Sequence, residues 1–270
     1  MADQRDEFEL FLTRKQLSEV TKKEYLLFYD KMQDVLKETG LILNQLTVDA
    51  FLDVYPHLVA RASLKSYLEF MQRQDLIIAK RTGHAVKKEQ ITIPVQDMEK
   101  IREALYQHDE RYGLISDITD CCALRKQEVL GIKAEDIDIS NGADMFILIK
   151  HGKGNKERKV FVRDDVAVLI MKYLEKHPMK LFSYLFESKV RAGFPMDKTN
   201  WNKAFTKACL KVTGKKYHPH QLRGTRATLW YDQGVDIASI QKRLGHSNIS
   251  TTMIYIKPDE RKELEKWSKE

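Results

Sequence analysis

The sequence predicts a mainly α-helical protein of two domains that includes one small antiparallel β-hairpin, an α+β fold. Three observations support this prediction. Apolar residues recur at three- and four-residue spacings over residues 1–79, this spacing stops in the basic stretch 80–94, and helical spacing returns over residues 95–270 with one β-favouring interruption. A chain of 270 residues is long enough for two domains that each bury a core.

The N-terminal domain, residues 1–79, is expected to be a bundle of three or four helices. Ser18 and Thr21 offer capping groups before the second helix, and Gly40 is placed to end it. The spacing of the apolar residues puts them on one face of each helix. These residues are Phe8, Phe11, Leu12, Tyr25, Phe28, Tyr29, Met32, Leu64, Tyr67, Leu68 and Met71.

A linker is expected at residues 80–94, where the apolar period is lost. The stretch contains four cations within nine positions: Lys80, Arg81, Lys87 and Lys88. Such a segment is either a solvated tether or a tether that lies along a DNA backbone. The sequence leaves both possibilities open.

The C-terminal domain, residues 95–270, is expected to contain one hairpin and several helices. Residues 146–149 and 160–162 favour strands and flank a turn rich in Gly, Asn and Lys. Gly234 and Gly245 are placed to end two helices. The predicted helices are Asp165–Glu175, Asn200–Val212, Gln221–Gln233, Ile237–Leu244 and a final helix over Pro258–Trp267.

The composition favours a polyanionic partner and a reducing compartment. The formal net charge is +7, although many basic proteins never bind nucleic acid. The three cysteines lack metal-ligand or disulfide spacing and are expected to be packing residues. No signal peptide or membrane-spanning run is apparent, so we expect a cytoplasmic protein without a membrane partner.

Four short motifs contain residues suited to phosphodiester chemistry. They are ALRKQEVLGI around Arg125, GKGNKER on the hairpin, HQLR with His220 and Arg223, and LGHSNISTTMIY with His246 and Tyr255. Arginine forks match two phosphate oxygens, and His, Lys and Tyr can transfer protons or attack phosphorus. Each motif alone has a simpler interpretation, such as a surface helix, a packing residue or an ion pair between Arg125 and Glu128.

Taken in order, the four motifs and the helical N-terminal domain resemble the tyrosine recombinase (phage integrase) family, and are nearest in type to its Xer-like and integrase members. The resemblance spans nearly the whole chain. It implies that residues 1–79 form a core-binding, SAM-like DNA-binding domain and that residues 95–270 form the catalytic domain with its C-terminal helix. It also implies six catalytic residues: Arg125, Lys153, His220, Arg223, His246 and Tyr255.

In this family the two arginines grip the scissile phosphate, and the tyrosine attacks it. The resemblance assigns these roles to Arg125, Arg223 and Tyr255. Lys153 matches the general acid on the hairpin, which protonates the 5′ oxygen. The GKG context distinguishes it from Lys150 and Lys156.

The resemblance also gives the two histidines their roles and implies the protein's partners. His220 matches the histidine that assists proton transfer, and His246 the one that bonds a phosphate oxygen. Arg226 departs from the family's pattern. We expect it to form a salt bridge, and the sequence leaves a contact with phosphate open. The implied partners are a double-stranded DNA site and further copies of the chain in a tetramer with C-terminal helix exchange, with no cofactor and no metal.

Other classes of protein share some of these features. GKGNK lacks the spacing of a nucleotide-binding P-loop. His218, His220 and His246 have no Cys or carboxylate at zinc-ligand spacing. A type IB topoisomerase shares the chemistry, and a catalytically silent DNA-binding protein shares the fold. All six catalytic positions are filled, which argues against a silent protein.

Overall fold

The computed structural model describes residues 4–79, 92–141, 144–150 and 157–256. The chain divides into two compact units, Met1–Lys87 and Lys88–Glu270. The hairpin tip with Lys153, most of the expected linker and the expected C-terminal helix lie outside the described residues. Within the described ranges, no helix is both long and apolar enough to cross a membrane.

The described part of the N-terminal unit is helical, and its helices are α1 (Gln4–Arg14), α2 (Glu19–Thr39), α3 (Gln45–Val54) and α4 (Leu58–Phe70). Ser18 caps α2 by accepting a hydrogen bond from the Thr21 backbone, and Gly40 ends α2 in the left-handed conformation, φ 65°. Phe8, Tyr29 and Tyr67 pack at the centre, with ring centroids 5.2 to 5.7 Å apart. The predicted helical bundle is confirmed.

The second unit combines helices with a small sheet. Its helices are α5 (Val95–His108), α6 (Glu110–Cys122), α7 (Lys126–Leu130), α8 (Asp164–Lys176), α9 (Lys198–Thr213), α10 (Pro219–Asp232), α11 (Ile237–Leu244) and α12 (Ile249–Met253). Its strands are β1 (Ile137–Asn141), β2 (Asp144–Ile149) and β3 (Arg158–Val162). The mainly α fold with a small antiparallel sheet is confirmed.

The sheet is antiparallel, in the order β1-β2-β3. The predicted hairpin is the β2–β3 pair, in which Phe146 faces Phe161 and Ile147 faces Val160. The sequence prediction missed strand β1, which pairs with β2 through Ile137 and Asp138. The strands place Ile147, Val160 and Val162 in the core of the unit.

Helix α6 runs through the centre of this unit and packs against α5, α7, α8, α9, α10 and β3. Most of its residues from Gly113 onward are buried, including the polar Ser116, Asp117 and Thr119, because other elements surround the helix. Cys121 and Cys122 are free and buried near its end, which confirms their packing role. The helix stops at Ala123, which has φ 49°, a conformation uncommon outside glycine. The chain then turns directly into Arg125.

The end of the described chain packs as a separate small core. Leu244, Tyr255 and Ile256 are buried there with Ala123, Ala227 and Ile240. Gly245 follows α11 with φ 63°, as its position in the sequence predicts for a helix terminator. This core brings the segment with Tyr255 against α10.

Candidate active site

Helix α10 and the turn after α12 bring Tyr255 and His220 together. The Tyr255 hydroxyl and His220 Nε2 are 2.9 Å apart. Tyr255 is only 8% exposed, and its carbonyl accepts a hydrogen bond of 2.7 Å from the Thr228 hydroxyl of α10. The phenol is therefore fixed against the histidine although 35 residues separate them in the sequence.

Arg223 lies one turn after His220 on α10 and is completely buried. Its Nη1 donates to the Ala123 carbonyl and its Nη2 to the Leu244 carbonyl, each at 2.7 Å. Among the described residues, no group accepts a hydrogen bond from its Nε. An unpaired buried donor is costly in a folded protein, and it marks this guanidinium as a group with remaining capacity to bond.

His246 lies between Arg223 and Tyr255. Arg223 Nη2 is 2.9 Å from His246 Nε2, and the imidazole stacks on the Tyr255 ring with centroids 5.8 Å apart. Because arginine can only donate, Nε2 accepts and the proton of the neutral ring is on Nδ1. Nδ1 lies 2.9 Å from the Thr252 hydroxyl, which is fully buried. Thr252 thus determines which nitrogen of His246 faces the site.

Glu128 joins two arginines beside this cluster. Its Oε1 accepts from Arg125 Nη1 at 2.8 Å and from Arg158 Nη1 at 3.0 Å. Its Oε2 accepts from the Arg125 backbone N–H at 2.7 Å and from Arg158 Nη2 at 2.8 Å. The Arg125–Glu128 ion pair, which was the simpler interpretation of this motif, is present, and Arg158 is a second partner of the carboxylate.

The concentration of positive charge shifts the pKa of the groups around it. Burial and then the charges of Arg223, Arg125 and Arg158 lower the pKa of His246 to about 4. The pKa of His220 is lowered by partial burial and then by Arg223, Arg125 and Lys126, although part of this residue faces solvent. Both imidazoles are therefore neutral at pH 7 and able to accept a proton.

Burial and the neighbouring charge of Arg125 lower the pKa of the Arg223 guanidinium, while Glu128 opposes this effect. For Glu128 itself, burial raises the pKa, but the hydrogen bonds from Arg158 and Arg125 outweigh burial and bring it to about 2. The cluster therefore holds a carboxylate that is ionised at neutral pH among three arginines. Its net positive charge favours the binding of an anion.

Lys153 lies outside the described residues. The neighbouring Lys150 is paired with Glu135 at 2.8 Å and with Asp136 at 2.7 Å. Arg226 pairs with Asp120 of α6, the salt bridge that was expected for it. These two cations are already neutralised by carboxylates.

The structure also gathers two residues that the sequence interpretation did not single out. Arg158 is the last residue of the quoted GKGNKER motif, and Thr252 is the second threonine of LGHSNISTTMIY. Only their place within those motifs could have indicated them. Among the described residues, no cluster of three or more His, Cys, Asp or Glu side chains could hold a metal ion.

Five of the six expected catalytic residues thus meet at one place in the second unit. The Tyr255 hydroxyl contacts the neutral imidazole of His220. Arg125 and Arg223 lie beside this pair, and the positive charge of the arginines exceeds the single negative charge of Glu128. These are the groups required to attack a phosphodiester and to stabilise the charge that develops on it. The fold and the site define a class of enzyme that transfers phosphodiesters through a tyrosine.

Comparison with known proteins agrees with this class. Residues 92–262 match the model of the phage integrase family. Tyrosine recombinase XerC of Caldanaerobacter subterraneus subsp. tengcongensis is 33% identical over 74% of this chain and 58% of its own length. Tyrosine recombinase XerC of Pediococcus pentosaceus is 30% identical over 92% of this chain and 91% of its own.

Solved structures show the same fold. A XerH site-specific recombinase in a post-cleavage complex with a palindromic difH substrate aligns with a TM-score of 0.71 and 21% identity, over 92% of this chain and 79% of that one. A lambda integrase tetramer bound to a Holliday junction aligns with a TM-score of 0.70 and 15% identity, over 93% of this chain and 76% of that one. The chain belongs to the phage integrase family and is a site-specific tyrosine recombinase.

Proposed function

We propose that this chain cuts and rejoins double-stranded DNA through a covalent bond between Tyr255 and a 3′ phosphate. The contact of 2.9 Å between the Tyr255 hydroxyl and His220 Nε2 is the observation that carries the proposal. A free tyrosine has a pKa of about 10, so it needs a base and nearby cations to act as a nucleophile at neutral pH. His220 is neutral and in contact with the hydroxyl, so it is suited to accept the proton.

Arg125 and Arg223 neutralise the charge that grows on the phosphate oxygens as the phenol attacks phosphorus. The Arg125 side chain is 24% exposed, whereas that of Arg223 is fully buried. A phosphate entering from solvent therefore meets Arg125 first. A phosphate oxygen that then lies between Arg223 and His246 replaces the hydrogen bond that now joins them, which binds both groups to the reacting centre.

The bond from phosphorus to the 5′ oxygen breaks as the tyrosine bond forms, and the leaving oxygen needs a proton. Lys153 is the proposed donor, because it matches the family's general acid and stands between two glycines in the GKGNKER motif that connects β2 and β3 in the sequence. The pairing of Lys150 with two carboxylates favours Lys153 over Lys150. Attack on the phosphotyrosine by the 5′ hydroxyl of a second duplex reverses the step and produces a Holliday junction.

Strand exchange between two duplexes joins four DNA ends, so four active sites must meet. We propose a tetramer on DNA in which residues 257–270 of each subunit dock on a neighbour. The lambda integrase tetramer on a Holliday junction, which has the same fold, supports this assembly. Closed cyclic symmetry accounts for four equivalent contacts with one kind of interface.

We also propose a function for each of three parts of the chain. Residues 1–79 form a DNA-binding domain, residues 80–94 a basic linker, and residues 95–270 the catalytic domain. A protein that holds DNA with two domains and a basic connection displaces many counterions, which accounts for the net charge of +7.

The proposal is tested with Tyr255→Phe on nicked duplexes that trap the covalent product. The DNA site is first selected with the wild-type protein from a random-sequence pool. The variant should form no covalent adduct and should bind the site as tightly as the wild type, because only a hydroxyl is removed. Tyr231→Phe is the matched control, since Tyr231 packs against the same small core, and it should retain adduct formation.

Two outcomes would contradict the assignment. Adduct formation by Tyr255→Phe would make Tyr231 the next candidate nucleophile. Absence of any adduct with the wild-type protein would favour a silent DNA-binding protein. Adducts accompanied by relaxation of supercoiled DNA, but never by exchange between two sites, would favour a topoisomerase.

A further inference from the structure

Arg158 lies beside the proposed catalytic residues and donates hydrogen bonds through all three of its guanidinium nitrogens. It is the first residue of β3, directly after the hairpin turn, and its side chain is 13% exposed. Its two terminal nitrogens bond both oxygens of Glu128, at 3.0 and 2.8 Å. Such a forked pair is directional as well as strong, because both partners are planar.

The hydrogen-bonding capacity of Glu128 is fully used. A carboxylate has about four lone-pair positions, and those of Glu128 accept two bonds from Arg125 and two from Arg158. Arg223 Nη1 lies 3.8 Å from the same carboxylate. Arg158 thus occupies half of the positions that the two proposed phosphate-binding arginines could otherwise take.

This arrangement has an electrostatic consequence. Glu128 and the arginines around it interact strongly because the interior screens charge poorly, so removing Arg158 removes a cation that balances the carboxylate and competes for its oxygens. Without Arg158, the carboxylate would draw on Arg125 and Arg223, and their positive charge would no longer be available to a phosphate.

The contacts of Arg158 also bind it to the segment that contains His246. Its Nε donates to the Arg243 carbonyl at 3.2 Å. Its side chain lies close to Gly245, where a Cβ atom would come 3.1 Å from Nη1 and 3.2 Å from Cζ of Arg158. These contacts hold the guanidinium of Arg158 between Glu128 and the segment before His246.

We propose that Arg158 is a positioning residue for strand cleavage: by neutralising Glu128 it leaves Arg125 and Arg223 free to stabilise the scissile phosphate. The proposal rests on the function proposed above. It differs from a role in the hairpin alone, in which Arg158 would act only by placing Lys153.

The test uses Arg158→Gln, Arg158→Lys, Glu128→Gln and the double variant Arg158→Gln with Glu128→Gln in the full chain. Single-turnover adduct formation is measured at saturating DNA, and site affinity is measured separately. Arg163→Gln is the matched control, because Arg163 follows the same strand, and its fork pairs with the exposed Asp165. It removes the same charge without touching Glu128, and it should cleave like the wild type.

Arg158→Gln should reduce the cleavage rate by at least about tenfold and change site affinity by less than about threefold, since the loss is confined to the transition state. Arg158→Lys should fall between it and the wild type, because it keeps the charge but not the fork. In the Glu128→Gln background, Arg158→Gln should lower the cleavage rate by no more than about threefold, since no carboxylate is left to neutralise. The double variant also keeps the test informative if Arg158→Gln alone fails to fold.

A second substrate separates the two possible routes of action. If sulfur replaces the bridging 5′ oxygen, the leaving group needs no proton, so a defect that arises through Lys153 disappears. Arg158→Gln should remain defective on this substrate. The proposal would be overturned if Arg158→Gln regained the wild-type cleavage rate on the sulfur substrate, or cleaved ordinary DNA at that rate. It would also be overturned if Arg158→Gln lowered the cleavage rate equally with Glu128 and with Gln at position 128. Failure of the wild-type protein to form any adduct would instead refute the proposed function.

Discussion

The stability of the second unit should depend on Glu128 in a way that pH reveals. Glu128→Gln keeps the shape of the side chain but removes the charge that two arginines surround. Removing one partner of a buried ion pair is strongly destabilising, because the other partner stays buried without compensation. We therefore expect Glu128→Gln to be less stable than the wild type at pH 7.

The magnitude follows from the pKa of this carboxyl. Its folded-state pKa is about 2, against an ordinary value of 4.5. The difference corresponds to about 3 kcal/mol of folding free energy. The folded pKa is depressed, so this stability is fully present above pH 4.5 and is lost as the pH falls towards 2. Between pH 7 and pH 3.5, titration of Glu128 should lower the free energy of unfolding of the wild type by about 1.5 kcal/mol. The variant has no titrating group at position 128 and should lose nothing there.

Urea unfolding followed by tryptophan fluorescence measures this difference. All three tryptophans, Trp201, Trp230 and Trp267, belong to the second unit, so the signal reports on that unit alone. The free energy of unfolding is measured for both proteins at pH 7, 5, 4 and 3.5. Subtracting one protein from the other at each pH cancels the titration of all other carboxylates.

The stability gap between the two proteins should narrow by about 1.5 kcal/mol as the pH falls. Glu110→Gln serves as control, since Glu110 is 39% exposed and pairs with Lys176 at the surface. Its gap from the wild type should stay within about 0.5 kcal/mol at every pH. A constant gap for Glu128→Gln would refute the reasoning, because it would mean that the arginines do not keep this carboxylate ionised.

Three further results are expected. Lys153→Ala should lose about 100-fold in cleavage of ordinary DNA and recover when sulfur replaces the bridging 5′ oxygen, because a thiolate leaves without a proton, whereas His220→Ala should not recover. Thr252→Val should slow adduct formation about tenfold by releasing His246 Nδ1, and Thr252→Ser should restore it; equal rates in Val and Ser variants would count against a role for the hydroxyl. Deleting residues 257–270 should impair recombination between two sites more than binding of one half-site, and equal losses in gel-shift and recombination assays would argue against the proposed exchange.

The sequence by itself determined the fold class and much of the local structure. Helix ends at Gly40 and Gly245 follow from glycine's tolerance of positive φ, and both residues adopt it. The apolar spacing predicted which face of each helix is buried, because side chains one helical turn apart share a face, and Phe8, Tyr29 and Tyr67 from three such faces meet in one core. Strand β1 was missed, since Ile137–Asn141 is short and its sequence IDISN favours a strand only weakly.

The tertiary structure decided how the predicted site residues work together. Arg158 reaches Glu128 across 30 residues, and Arg223 reaches the Ala123 carbonyl across 100, distances in sequence over which no periodicity operates. The proton on His246 Nδ1 depends on a buried threonine and a buried arginine that meet only in the fold. Local patterns reveal which groups a chain contains and which face of a helix they occupy. Burial, shared hydrogen bonds and the resulting pKa shifts require the packing of distant segments, so only the folded chain establishes them.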